Sequence, residues 1–324
     1  MMSRVLRQTL RFFSSTTSDK IPGAKTLSNG AYKIRSLRFD DIPEVVQISR
    51  ESMFQYPVSS LQFWARHDPD GIKVAVSEES GKILGVCGTV KNNENLFFGG
   101  MFSVQEKSRA ADVGRKLLSA CHAHADGRNI AVNCEMNKIG TFKRRGVAIF
   151  EDTFKSLEYE IYSRANSAVL SEELPSGVEI LPFQSQYLEA VYEYDHSLMG
   201  YERKSTVEAS CYEDNSKTLM AIKDGKCVGF GSIKLNIMGI ARVGPLYAND
   251  PDVAEAMLKK LINEMPEVSG FTTVTVSSNL FANMMMEKLG LPVHGNIYRL
   301  YSKEKLKIDT NKVFSHFDID FAPF

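Results

Sequence analysis

The sequence lacks what would tie it to a membrane, a metal or an extracellular scaffold. No stretch of its 324 residues approaches the roughly 20 uninterrupted apolar residues of a membrane-spanning helix, so membrane insertion is not expected. Cysteine is scarce. Cys87, Cys121, Cys134, Cys211 and Cys227 are odd in number and form no CxxC pair, which argues against a disulfide framework or zinc site and fits a reducing compartment. An excess of charge is missing too. The 39 basic and 39 acidic side chains balance, so no protein-wide basic field exists to attract nucleic acid. Finally, no acid precedes Asp19.

That last absence coincides with a positive pattern. Arg4, Arg7 and Arg11 stand among Ser and Thr, while Leu6, Leu10 and Phe13 can share the opposite face of a helix. This is the pattern of a mitochondrial transit peptide, and Arg11-Phe12-Phe13 before Ser14-Ser15 resembles a matrix-protease cleavage site. Residues 1–20 are therefore expected to be a transit peptide and the protein to act in the mitochondrial matrix. The competing reading is a disordered basic tail.

Single cores stop growing near 250–300 residues, so a chain of 324 is expected to hold two domains. An internal repeat supports this. Gly81-Lys82-Ile83-Leu84-Gly85-Val86 returns as Gly225-Lys226-Cys227-Val228-Gly229-Phe230, 144 residues later. Gly146 after Lys143-Arg144-Arg145 faces Gly290 after Glu287-Lys288-Leu289, and Ile34 and Leu37 fall on Val178 and Leu181, all at the same offset. Each copy reads as strand, helix, a meander of strands with hairpin turns, a longer helix, a strand, a short helix and a last strand. The resulting expectation is an α/β fold of two tandem mixed-sheet domains, 30–165 and 178–305, joined by a linker at 166–177 and followed by a C-terminal tail at 306–324.

The chemistry is expected in the first copy, between the strand Leu96–Val104 and a helix starting near Ala110. A helix's first turn presents unpaired N–H groups and a positive dipole end, which suit a phosphate. The segment Val104-Gln105-Glu106-Lys107-Ser108-Arg109-Ala110-Ala111-Asp112-Val113-Gly114-Arg115 resembles the signature of the GNAT N-acyltransferase superfamily, which reads Arg or Gln, two residues, Gly, one residue, then Gly or Ala. Arg109 and Gly114 match; Asp112 stands at the first glycine position. The chain is also similar to a group of tandem GNAT proteins, with His67-Asp68-Pro69-Asp70-Gly71 and Tyr194-Asp195, Gly200 and Arg203 carrying that likeness.

The resemblance implies a GNAT fold in both copies and acetyl-CoA or another acyl-CoA as co-substrate, with no metal. It implies that backbone amides of Arg109, Ala110, Ala111, Asp112, Val113 and Gly114 cradle the CoA pyrophosphate, that Arg115 and Lys116 add charge, and that the pantetheine arm pairs with the strand ending at Phe102–Val104. Asp112 can take the positive φ of a glycine position, but its charge disfavours a phosphate unless it faces solvent or pairs with Arg109 or Lys116. In the second copy the matching loop carries Asp250, Pro251, Asp252 and Glu255, a good helix start that repels phosphate.

Catalytic groups are less defined. The family's usual tyrosine acid is replaced by Phe142 in the first copy and by Met286 in the second, neither of which donates a proton. Glu135, following the strand Ile130–Cys134, is the candidate base that deprotonates an amine, with an exposed strand-end carboxylate as the bland reading. His122 and His124 do not share a helix face and read as surface residues. Asp195-His196 reads as a helix end rather than a dyad, and Met284-Met285-Met286 as core packing. The expected function is transfer of an acetyl or short acyl group from acyl-CoA to a primary amine on a small-molecule acceptor. A glycine-type N-acyltransferase is a substrate variant, and a non-catalytic acyl-CoA sensor is the contrary reading.

Overall fold

Strands form where the chain alternates, and helices where apolar residues recur every three to four positions. In a computed structural model, which describes residues 31–109 and 112–324, the first half opens on β1 (Tyr32–Ser36). Helices α1 (Ile42–Glu51) and α2 (Val58–His67) follow, then the antiparallel strands β2 (Ile72–Ser77), β3 (Ile83–Lys91) and β4 (Leu96–Val104). Helix α3 (Val113–His124) leads to β5 (Asn129–Cys134), α4 (Ile139–Lys143), β6 (Ile149–Phe150) and β7 (Ser156–Ile161). The second half repeats this order with β8 (Val178–Pro182), α5 (Leu188–Met199), α6 (Lys204–Cys211), β9 (Ser216–Lys223), β10 (Lys226–Leu235) and β11 (Ala241–Ala248). It continues with α7 (Pro251–Asn263), β12 (Phe271–Val276), α8 (Leu280–Lys288), β13 (Val293–Tyr301) and β14 (Val313–Ser315).

The expected mixed α/β architecture is present. Three local features differ from expectation. Helix α3 begins at Val113 rather than near Ala110, because Asp112 at φ 60° holds the chain in the left-handed region just before it. Helix α6 and strand β14 were not anticipated: α6 has a weak apolar stripe, and β14 is three residues long. The expected transit peptide, and Ala110 and Ala111, lie outside the described residues.

All the strands join one sheet, in the order β1-β2-β3-β4-β5-β13-β7-β12-β11-β10-β9-β8, with β14 on β11 and β6 on β13. The order crosses between the halves. Strand β7, from the first half, lies between β12 and β13, while β13, from the second, pairs along Val293–Ile297 with β7 and along Tyr298–Tyr301 with β5. Each half thus caps the other's sheet edge, and the backbone groups there find ladder partners.

In the first half α3 covers one face through Val113, Leu117 and Cys121, all buried against Ala75 and Cys87. Helices α1 and α2 cover the opposite face through Val45, Leu61 and Trp64. Burying each such Val or Leu contributes roughly 1.5–3 kcal/mol. The segment 316–324, within the expected tail, is buried throughout, with Phe321 in this core and Phe317, Ala322 and Phe324 in the core around α5. Its carbonyls are held by side chains. Arg242 Nη1 donates to Phe317 O (3.0 Å), Asn133 Nδ2 to Ile319 O (2.9 Å) and Asn92 Nδ2 to Phe321 O (2.9 Å). Arg299 Nη2 and Arg203 Nη1 do the same for Pro323 (2.5 Å) and Phe324 (2.8 Å). The Phe321 ring lodges against Tyr56 (5.5 Å) and Trp64 (6.2 Å).

Candidate active site

Strands β4 and β5 run parallel and pair only from Leu96↔Asn129 to Gly99↔Val132. Beyond that point they diverge. On β4's other side the register to β3 slips between Val86 and Gly88, so β4 carries one extra residue, and Met101 within it has φ 52°. Such a bulge bends a strand away from its neighbour. The edge of β4 from Gly100 to Val104 that would face β5 is therefore left without a strand partner.

Helix α3 starts beside this open edge. A Cβ on Gly114 would lie 3.0 Å from Phe102 Cζ, so the glycine lets the helix start approach β4 closely. Phe102 is 38% exposed, and Arg109, Asp112, Arg115 and Lys116 are all exposed at the same corner. Arg109 Nε donates to Val104 O at 3.2 Å, which folds the loop back over the end of β4. Val113 turns its side chain into the core, leaving only its amide for the corner. Asp112 pairs with neither Arg109 nor Lys116, as expected from the sequence, but with Arg115, whose Nε and Nη2 both donate to its carboxylate. Those hydrogen bonds hold the Asp112 carboxyl below its ordinary pKa and raise that of Arg115. Lys116 is the other cation here, with Nζ 4.7 Å from the Tyr32 ring centroid.

The second half has the same divergence and a different content. Strands β11 and β12 pair only over Ala241–Val243 and Phe271–Thr273. The gap beyond is filled by the chain itself. Strand β14 pairs with β11 at Leu246↔Ser315 and Tyr247↔Val313, and His316 N donates to Val274 O of β12 at 2.8 Å. Ser315 Oγ donates to Val243 O and accepts from Thr273 Oγ1, both at 2.8 Å. Asp250 caps α7 by accepting from Asp252 N at 2.8 Å. The second gap has no free edge to offer a ligand.

Across the first gap, Glu135 is exposed at the end of β5. A second carboxylate lies near it that the sequence reading missed. Glu158 of β7 faces Gly295 of β13, where any Cβ would strike its Oε2. Burial, then the neighbouring charges of Glu160 and Glu135, push its carboxyl up to about 7, with Arg242 partly opposing. Asp320, 6% exposed, sits on the same face, and burial followed by the charge of Asp318 drives its carboxyl well above the ordinary range. Only long-range pairing reveals these residues: β7 leaves its own half, and Asp320 lies outside the repeat.

Other candidates resolve simply. His124 is not a surface residue, because its Nε2 meets the buried Asp68 Oδ2 at 2.9 Å. Asp195 is buried in an ion pair with Arg203 while His196 is exposed, so they form no dyad. Phe142 packs partly buried against the cores around α3 and α4, and Met285 and Met286 are core residues while Met284 is 50% exposed. Among the described residues, no group of three or more His, Cys, Asp and Glu is arranged to hold a metal ion.

Comparison with known proteins fits this geometry. No curated protein matches the chain in sequence. A putative acetyltransferase from Pyrococcus horikoshii is 18% identical and superposes with a TM-score of 0.69, over 94% of this chain and 100% of that one. A tandem GNAT protein from the clavulanic acid biosynthesis pathway is 12% identical, with a TM-score of 0.58 over 85% and 100%. A GCN5-related N-acetyltransferase from Sphaerobacter thermophilus is 13% identical, with a TM-score of 0.57 over 83% and 95%. At these identities the likeness is one of fold. The family model described as an acetyltransferase (GNAT) domain matches residues 191–315, the half in which the chain's own strand fills the gap. Part of the second half thus resembles the acetyltransferase (GNAT) family in sequence, and the α/β architecture of the described chain is the fold of these structures.

Proposed function

We propose that the chain is an acyl-CoA-dependent N-acyltransferase whose donor site is the β4–β5 gap of the first half. The acceptor in this reading is a primary amine on a small molecule. One observation carries it: the edge of β4 after Gly99 is unpaired beside the start of α3, whereas the matching edge in the second half is covered by β14. An extended pantetheine arm needs such an edge, because its amides pair as an added strand does.

The residues present fit that donor. The first-turn amides of α3 have no partners within the helix and can accept a pyrophosphate. Arg109 is exposed at their side, and the Asp112 charge is offset by Arg115. In this reading a backbone N–H of the unpaired β4 edge polarises the thioester carbonyl. In this reading Glu135, exposed at the end of β5, receives a proton from the incoming amine, directly or through water. Phe142 supplies no acid, so the thiolate takes its proton from another source. The same residue favours the contrary reading, an acyl-CoA sensor without turnover.

Thermal stabilisation by CoA, acetyl-CoA and longer acyl-CoAs tests the donor site, because a ligand of the native state raises its apparent stability. Arg109→Glu should remove the shifts. Shifts that survive the charge reversal would refute the site, and binding without thiol release over a pool of amines would favour the sensor. For location the proposal is the mitochondrial matrix, on residues 1–20, which carry Arg4, Arg7 and Arg11 and no acid before Asp19. Import unchanged by their deletion would overturn it.

A further inference from the structure

The two halves share a fold but not a charge. Beside the first gap, segment 105–116 carries four basic and two acidic side chains, and segment 135–146 carries four and one. The matching segments of the second half, 249–260 and 279–290, carry two and three, and one and one. The open gap is thus flanked by eight basic side chains against three acidic, and the filled gap by three against four.

The fold brings these charges to the mouth of the gap. Helix α3 follows β4 and α4 follows β5, so the two helices stand on either side of the divergence. Phe142 of α4 packs against the cores around both. His122 of α3 is held below its usual pKa first by burial and then by the charge of Arg145, which places that guanidinium near α3. Lys138, Lys143 and Arg144 are exposed, and Arg145 is half-buried. Their contacts are neutral. Arg145 Nη1 donates to Thr141 O at 3.0 Å, Arg144 Nη2 to Thr141 Oγ1 at 3.5 Å, and Lys143 Nζ lies 5.7 Å from the Phe150 ring centroid. Among the described residues none of these four cations forms an ion pair, whereas Lys288, which stands where Arg144 does in the first copy, pairs with Glu255 at 2.7 Å. Like charges crowded around one short helix repel each other, a cost that an outside anion relieves.

We infer that this basic rim, centred on Lys138, Lys143, Arg144 and Arg145, docks an acidic carrier protein whose phosphopantetheine thioester enters the gap as acyl donor. The inference rests on the donor gap proposed above and adds a second source for the same arm. A nucleotide does not call for so wide a rim, since a phosphate monoester carries only about two negative charges. Asp112 points the same way. Its carboxylate, 41% exposed at the start of α3, opposes a doubly charged pyrophosphate more than the singly charged phosphodiester that joins the arm to a protein. Nucleic acid fits less well, because the chain as a whole has no positive excess.

The transfer balances as it does with acyl-CoA. The lone pair of a neutral primary amine forms the C–N bond at the thioester carbonyl. The C–S bond breaks with its electron pair on the pantetheine sulfur, and the proton shed by the nitrogen ends there. The products are the amide and a carrier with a free thiol.

The test uses the full chain and a bacterial acyl carrier protein acetylated on its phosphopantetheine, with the apo carrier, acetyl-CoA and acetyl-dephospho-CoA beside it. In calorimetric titration the acetylated carrier should bind about tenfold or more tighter than the apo form, and should weaken as salt is raised. Lys143→Glu combined with Arg144→Glu should weaken the carrier about tenfold or more and leave acetyl-CoA within about twofold, because a rim charge acts on the partner that covers it. The retained acetyl-CoA binding shows that the double variant folds. Arg109→Glu should weaken both donors. A carrier that fails to bind, or binds the double variant as well as the wild type, would overturn the docking surface. So would a double variant that loses acetyl-CoA but keeps the dephospho form, since the cations would then serve the nucleotide's 3′-phosphate. An apo carrier that binds as tightly as the acetylated one, with no acetyl-CoA binding, would leave an acidic-protein surface standing and remove the donor gap instead.

Discussion

Gly100 and Gly244 occupy equivalent places in the two copies, 144 residues apart, and both are pressed by the same segment of chain. A Cβ on Gly100 would run into the carbonyl oxygen of Asp320, and one on Gly244 would come within 2.5 Å of that of His316. One stretch, 316–320, therefore crosses both sheet halves at the bulged strand. Alanine at either position should expel or strain it. Since a backbone carbonyl cannot rotate aside as a side chain can, each change is expected to cost about 1–3 kcal/mol, the usual range for overpacking. Urea denaturation of Gly100→Ala and Gly244→Ala measures this, and limited proteolysis should find new cleavage after Ser315. Unchanged midpoints would mean the segment is not seated as described.

With the second gap filled by β14, the proposed donor site is expected once per chain. Calorimetric titration with acetyl-CoA should give one site per chain. Removing β14's hold by Ser315→Pro, which deletes a backbone donor and kinks the strand, should loosen the second half without creating a second site, because Asp250 and Asp252 still oppose a phosphate at α7. Two equivalent sites in the wild type would contradict the arrangement.

Much of this was legible in the sequence, and what was not shares a physical cause. Local signals sufficed for the repeated elements: Gly81 and Gly225, at φ 69° and 75°, sit in the hairpin turns their sequence demanded. The corner between β4 and α3 was legible for the same reason, since Phe102, Val104, Arg109 and Gly114 are close in sequence. Asp112 faces solvent, one of the arrangements its sequence allows, and its partner is Arg115 rather than Arg109 or Lys116 because residues three apart become neighbours once α3 has formed. Glu158 and Asp320 carry no local signal at all. Nothing in Ser156–Ile161 announces that β7 will leave its own half, and nothing in 316–324 announces that side chains such as Asn92 and Arg299 will clamp its carbonyls. Those are long-range pairings, and periodicity contains no record of them.

Asp195 and Arg203 form a fully buried ion pair, with Arg203 Nε and Nη2 donating to the carboxylate at 2.9 and 2.7 Å. The same guanidinium holds Phe324 O and touches the Tyr247 hydroxyl at 3.3 Å. Asp195→Ala strands a buried cation and is expected to cost about 3–5 kcal/mol. Asp195→Leu combined with Arg203→Met should cost clearly less than the single change, since no charge is left unpaired. Thermal or urea unfolding of the three proteins decides it. A double variant that loses as much as Asp195→Ala or more would show that the guanidinium's grip on Phe324 outweighs the pair.

The pH response of Glu158 can be worked out in sign. Its carboxyl sits at about 7 in the fold against an ordinary 4.5, chiefly because burial disfavours the charge. Between those values the native state holds a proton that the unfolded chain has released, so this group's contribution is full below about 4.5 and is lost as pH rises through 7. Removing the charge should therefore help more at high pH. The stability of Glu158→Gln relative to wild type is expected to climb from pH 5 to pH 8 and then level off. His316, which burial holds well below its usual value, stays neutral in the fold while the unfolded imidazole titrates, a contribution common to both proteins that cancels in the difference. Asp318 and Asp320 titrate in both proteins, so their effect largely cancels in the difference. Urea denaturation of the two proteins from pH 5 to pH 8 measures this, and a difference that stays flat across that range would show that the fold does not hold a proton on Glu158.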